Sequence, residues 1–188
     1  MSKTKEIVMP VVVLGLVCLI VTSLLAVTNY FTAPIIAQAA VEKANESRRV
    51  VLPEGDSFTQ VVYEGMAMSE LGISEIYQAD NGAGYAVTAV TSGYGGDISV
   101  MFGIDNEGAI VGVEVLEHGE TQGLGDRIAT VDFKGQFIGK SGSLNLVKGS
   151  ASGENDIVAL TGATISSTAM TNAANCALEA VNLVKGAQ

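Results

Sequence analysis

The sequence predicts an α+β chain: a single N-terminal transmembrane helix, then a compact domain with a twisted, mainly antiparallel sheet and a packed C-terminal helix. Three observations carry this. From Ile7 to Val41 there is no charged side chain. Between residues 58 and 116 short alternating apolar–polar runs follow one another with only turn signals between them. From Ser166 onward Met170, Ala173, Ala174, Ala177, Val181 and Val184 recur at three and four residues, which lays one apolar stripe along a helix.

The run Ile7–Tyr30 exceeds the ~20 residues that cross a bilayer. Pro10 is expected in the first turn of this helix, where its missing N–H costs least, and Tyr30 and Phe31 stand where an interfacial aromatic belongs. Lys3 and Lys5 precede the run and no base follows until Lys43, so residues 1–6 read as a cytoplasmic tail and the rest as extracytoplasmic. A cleavable leader has an apolar region of ~7–15 residues, and this run is longer and lacks a small-x-small cleavage site. Pro34 then opens an expected second helix to about Leu52, broken by Pro53-Glu54-Gly55-Asp56. Residues 31–56 are thus expected to form a helical stalk.

Five strands are expected next, at Phe58–Tyr63, Ile73–Gln78, Gly84–Thr91, Ile98–Ile104 and Ala109–Leu116, with Asp80-Asn-Gly and Asp105-Asn-Glu-Gly as turns. Strands this close together pair antiparallel. The stretch Glu117–Gly153 reads as glycine-rich loop with one short helix at Gly125–Thr130.

Composition narrows the chemistry. The chain holds 20 acids against 10 bases, and with Lys3, Lys5 and Glu6 ahead of the apolar run, 19 of the acids and 8 of the bases follow it. Such a domain repels nucleic acid, which needs clustered Lys and Arg. Two cysteines, Cys18 and Cys176, and one histidine, His118, leave no ligand set for zinc or a protein-held iron–sulfur cluster. A hydrolase would need a nucleophile–base pair that is not there.

The most informative segment is Ala159-Leu-Thr-Gly-Ala-Thr-Ile-Ser-Ser-Thr168. It clusters hydroxyls at a helix start, where first-turn N–H groups and the helix dipole attract an anion. Gly162 and Ala163 allow close backbone approach, and Thr161, Thr164, Ser166 and Ser167 can donate to phosphate oxygens. An ordinary N-cap uses the same residue types, and residue type alone does not separate the two.

Thr161-Gly-Ala-Thr164 with Ile165 and Ser166-Ser167 resembles the S/T-G-A-T flavinylation motif of the FMN-binding domain family. That domain occurs in the G subunit of Rnf-type electron transport complexes and in the C subunit of sodium-translocating NADH:quinone reductases. Two further blocks agree in order: Glu117-His-Gly-Glu-Thr-Gln-Gly-Leu-Gly-Asp126 is similar to the family's E-T-P-G-L-G-D loop, and Ser92-Gly-Tyr-Gly-Gly-Asp-Ile98 to a third block. Gln122 replaces the usual proline, and Val158 stands where many members have aspartate, with Asp156 close by.

The resemblance implies that residues 57–188 are an extracytoplasmic FMN-binding domain in which a separate flavin transferase esterifies FMN to Thr164. It also implies a cofactor environment built from Glu120, Thr121, Gly123, Leu124 and Gly125. For each of these, a tight turn into a short helix explains the residue equally well, and Tyr94 reads either as a flavin-stacking residue or as a turn residue packed on the sheet. His118 reads as an exposed loop residue. The implied function is a redox subunit of the Rnf complex, which passes electrons between ferredoxin and NAD⁺ while moving Na⁺ or H⁺. Such a subunit has no substrate site of its own. Its partners would be integral membrane subunits and a second FMN-bearing subunit. The alternatives are the C subunit of the quinone reductase and an anchored assembly module of the same fold without FMN.

Overall fold

The computed structural model describes residues 3–62 and 67–186. The chain divides into two units, Met1–Ala44 and Asn45–Gln188. The expected stalk is divided with it: residues from Asn45 onward belong to the second unit.

The first unit is helical. Helix α1 runs from Lys3 to Val51, so its last turns lie in the second unit. The two helices expected from the sequence are therefore one, and Pro10 lies beyond the first turn. A proline inside a helix removes one backbone bond. Leaving helix altogether in an apolar stretch would strand many more backbone groups. The stretch Met9–Ala33 is long and apolar enough to cross a membrane. Its hydroxyls turn inward: Thr28 Oγ1 donates to the Leu24 carbonyl and Thr32 Oγ1 to that of Thr28, each at 2.9 Å, and Thr22 bonds the Cys18 carbonyl in the same way.

In the second unit β1 (Phe58–Gln60), β2 (Ile73–Ala79), β3 (Gly84–Ser92), β4 (Asp97–Asp105) and β5 (Ile110–His118) form an antiparallel meander in chain order. Strand β1 ends at Gln60, and Tyr63, its expected end, lies outside the described residues. A short helix α2 (Ala67–Glu70) precedes β2. At the β1–β2 edge, Asp80 accepts hydroxyl bonds from Ser57 at 2.6 Å and Thr59 at 2.7 Å. Those bonds hold its carboxyl below the ordinary range.

Alternation along the strands gives the sheet two different faces. One presents Val87, Val100, Phe102, Ile104, Ile110 and Val113 to helix α4 (Thr164–Gly186), which answers with Met170, Ala173, Ala174, Ala177 and Val181. This is the stripe the sequence predicts. The other carries a row of small residues, Ala86, Gly103 and Gly112, paired across β3, β4 and β5. Val51 lies on this row with its backbone: a β-carbon on Gly103 would stand 2.0 Å from the Val51 carbonyl oxygen, and one on Gly112 2.1 Å from it. Next to it the Arg48 guanidinium stacks on Tyr77 with its carbon 3.5 Å from the ring centre, bonds Asn45 Oδ1 at 2.6 Å and pairs with Glu75 at 3.5 Å.

The long loop after β5 is more structured than its composition suggests. It holds a 3-10 turn at Gly125–Ala129, helix α3 (Val131–Gly135), and the strands β6 (Asn145–Val147) and β7 (Asp156–Val158), which pair in parallel. Three-residue strands carry no usable periodicity, so tertiary contacts decide them. Gln136 bonds Val158 of β7, and Asn175 of α4 bonds Leu144 just ahead of β6. Phe133 and Phe137 fasten α3 to the sheet, their rings 5.6 Å apart and Phe137 6.3 Å from Phe102.

Candidate functional site

Strand β7 leads into the turn Leu160–Ala163, closed by a bond from the Ala163 N–H to the Leu160 carbonyl at 3.0 Å. Gly162 sits there at φ +85°, a left-handed conformation that favours glycine. Helix α4 begins at once: the Ser167 N–H donates to the Ala163 carbonyl at 3.0 Å, which makes Ala163 the residue at the cap position. Alanine has no oxygen with which to cap. Among the described residues no side chain accepts from the N–H groups of Thr164, Ile165 or Ser166.

The hydroxyls of this segment are engaged elsewhere. Ser167 Oγ donates to the Ala163 carbonyl at 2.9 Å and accepts from the Leu160 N–H at 3.0 Å, which fixes the turn. Thr168 and Thr171 bond back to the carbonyls of Thr164 and Ser167. Ser166 Oγ donates to Glu120 Oε2 at 2.6 Å. Thr161 and Thr164 are the exceptions: neither Oγ1 makes a hydrogen bond among the described residues, and of the two Thr161 is exposed away from the cleft while Thr164 is half-buried at its wall. The ambiguity between a capped helix and an anion site is thereby narrowed, because the first turn keeps its N–H groups open beside a free hydroxyl.

These elements enclose an open cleft of about 420 Å³ lined by Tyr94, Glu120, Thr121, Leu124, Gly125 and residues 162–166. That volume is within the usual range for a small-molecule site. Tyr94 is 70 % exposed, so it stands over the cleft and is not packed on the sheet; Leu124 and Ile165 are exposed as well. Glu120, by contrast, is only 9 % exposed. Its Oε1 accepts from the N–H groups of Tyr94 at 2.7 Å and Gly95 at 3.2 Å. Burial by itself pushes its carboxyl up, but the Ser166 hydroxyl, the two backbone N–H groups and the nearby His118 outweigh this and hold it below its ordinary value.

Of the residues singled out from the sequence, the structure brings Thr164, Gly162, Ala163, Ser166, Glu120, Thr121, Leu124 and Gly125 to the cleft. It does not bring Thr161, Gly123 or Ser167 to its wall. Thr161 and Gly123 are exposed, and Ser167 is buried behind the turn. Ile165 also lines the cleft, and only its place next to Thr164 hinted at that. His118 is a correction. It ends β5, half-buried, with Nδ1 accepting the Glu120 N–H at 3.3 Å, because the loop doubles back on the strand end. Asp156, near the position where the motif often has aspartate, accepts from the N–H groups of Gly153 and Ser152, which hold its carboxyl below the ordinary range. It braces its own loop.

Comparison with known proteins agrees with this geometry. Residues 1–48 match the RnfG N-terminal region and residues 93–179 match the FMN-binding domain, which contains the whole cleft. The G subunit of the Na⁺-translocating ferredoxin:NAD⁺ oxidoreductase complex of Acetobacterium woodii is 36 % identical over 185 residues, covering 88 % of this chain and 89 % of the relative. The G subunit of the proton-translocating ferredoxin:NAD⁺ oxidoreductase complex of Clostridium ljungdahlii is 32 % identical over 176 residues, covering 92 % and 90 %. The crystal structure of NqrC from Shewanella oneidensis shares the fold, with a TM-score of 0.53 at 21 % identity over 68 % of this chain and 70 % of that one. The chain belongs to the RnfG family, the G subunits of ion-translocating ferredoxin:NAD⁺ oxidoreductase complexes, and its C-terminal half is an FMN-binding domain.

Proposed function

We propose that this chain is the membrane-anchored electron-transfer subunit of such a complex and carries FMN as a phosphoester on Thr164. The observation that supports this most directly is the pairing of a free Thr164 hydroxyl with an uncapped helix start. The open N–H groups and the positive end of a 23-residue helix favour a phosphate at that point. The cleft beside it is walled by apolar Leu124 and Ile165 and by the aromatic Tyr94, a surface suited to a planar ring. The residues present therefore fit the cofactor.

FMN supplies one- and two-electron transfer when bound, and the chain's part is to hold and orient it. Thr164 Oγ1 forms the bond to the flavin-side phosphorus of FAD, the anhydride P–O bond breaks, AMP leaves and the hydroxyl proton is released. No electron changes hands in that step. A separate flavin transferase catalyses it.

Residues 7–30 cross the membrane with residues 1–6 in the cytoplasm, and the domain faces the extracytoplasmic side, as Lys3 and Lys5 ahead of the span favour. The partners are integral membrane subunits around the span and a second FMN-bearing subunit near the domain. The coupling ion, Na⁺ or H⁺, belongs to those partners.

Intact-mass measurement of the chain produced with a flavin transferase tests the reading. The expected result is one added FMN, lost in Thr164→Ala with the fold intact. Wild-type protein that gains no mass overturns the redox reading; added mass that survives in Thr164→Ala overturns the site. Co-purifying subunits separate this assignment from the quinone-reductase protein of the same fold.

A further inference from the structure

Glu120 is the one buried acid among the described residues. A carboxylate is costly to bury unless its oxygens are hydrogen-bonded, and here both are. The donors come from two other segments: Tyr94 and Gly95 lie in the turn between β3 and β4, and Ser166 lies in the first turn of α4. Two glycines make the space. A β-carbon on Gly93 would lie 2.1 Å from Glu120 Oε1, and one on Gly125 2.3 Å from Oε2. Neither glycine has a left-handed backbone, so the missing side chain itself is what these positions require.

We propose that Glu120 is a positioning residue for flavin attachment. It ties the 93–96 turn and the 117–125 loop to the first turn of α4, and so sets the cleft wall around Thr164, two residues before Ser166. Both oxygens are already engaged within the protein, so the carboxylate acts through the loops it holds. The inference rests on Thr164 being the attachment residue.

The test uses the full-length chain in detergent with a flavin transferase and FAD, reading the rate of FMN mass gain and, separately, the heat unfolding of the unmodified chain. Hydrogen bonds to a charged group are strong enough that their loss changes a rate by roughly tenfold. Glu120→Ala is expected to slow attachment at least about that much while the chain still folds. Glu120→Gln is expected to restore it to within roughly threefold. Its amide oxygen can accept the Tyr94 and Gly95 N–H groups, and its NH₂ can donate to Ser166 Oγ. Ser166→Ala removes one tie without disturbing helix packing; it is expected to slow attachment, and it carries the test should Glu120→Ala not fold.

Wild-type rates in Glu120→Ala and Ser166→Ala overturn the proposal. So does Glu120→Gln as slow as Glu120→Ala, which would assign the effect to charge. Failure of the attachment reading shows in a different place, as mass gain by Thr164→Ala or none by the wild type. A lost contact with the transferase does not account for the expected result, because Glu120 is buried.

Discussion

Gln136 holds Val158 with both ends of its amide: Nε2 donates to the Val158 carbonyl at 3.3 Å and Oε1 accepts the Val158 N–H at 2.7 Å. A side chain one residue beyond α3 thus pairs with β7 as a neighbouring strand would. Val158 stands three residues before Thr161, so this clamp sets the entry to the turn that precedes Thr164, the proposed attachment residue.

Gln136→Ala leaves a half-buried N–H and carbonyl without their partners. Its expected cost is about 1–3 kcal/mol, read as a lower urea midpoint with an unchanged slope. A neutral result would mean that the loop, not the clamp, holds β7.

The contact between Val51 and the sheet allows no β-carbon. Gly103→Ala would bring one to 2.0 Å from a backbone carbonyl, which cannot swing aside as a flexible side chain does. The expected loss is about 1–3 kcal/mol or more, visible in thermal unfolding. Gly135→Ala meets nothing within 4 Å and serves as the control.

Gly162→Ala places a side chain at φ +85° and 3.3 Å from Leu124 Cδ2. Left-handed backbone is strained for alanine, so a loss of about 1 kcal/mol or more is expected. FMN attachment should slow as well, because the turn immediately precedes Thr164. Mass spectrometry of partly modified protein reads the second effect independently of the first.

The Glu120 carboxyl is held below its ordinary value of 4.5. A lowered folded-state pKa means that the carboxylate's contribution to stability is present above the unfolded value and is lost as pH falls through the folded one. The stability of the wild type relative to Glu120→Gln should therefore be constant near neutrality and shrink on acidification below about pH 4.5. Asp80 and Asp156 titrate in the same direction but identically in both proteins. A difference that does not change with pH would show that folding leaves the Glu120 pKa where it stands in the unfolded chain, and one that grows on acidification would show that the folded chain holds Glu120 neutral.

Local pattern was enough for much of this protein. The uncharged run ahead of Glu42, the alternation in Ile110–Leu116 and the three-and-four spacing from Met170 to Val184 are signals within single segments, and burial on one face leaves no freedom in how they are read. The motif at Thr161–Thr164 was equally visible, since it lies within four consecutive residues. Other features depend on residues far apart in the chain. Gly103 and Gly112 are two ordinary glycines until Val51 lies across them, and β6 and β7 have too few residues to declare themselves. Glu120 is one acid among 20 by sequence. Only when the 93–96 turn and α4 supply its three donors does it become buried and charged, because the free energy of a buried carboxylate is set by what surrounds it and not by its neighbours in the chain.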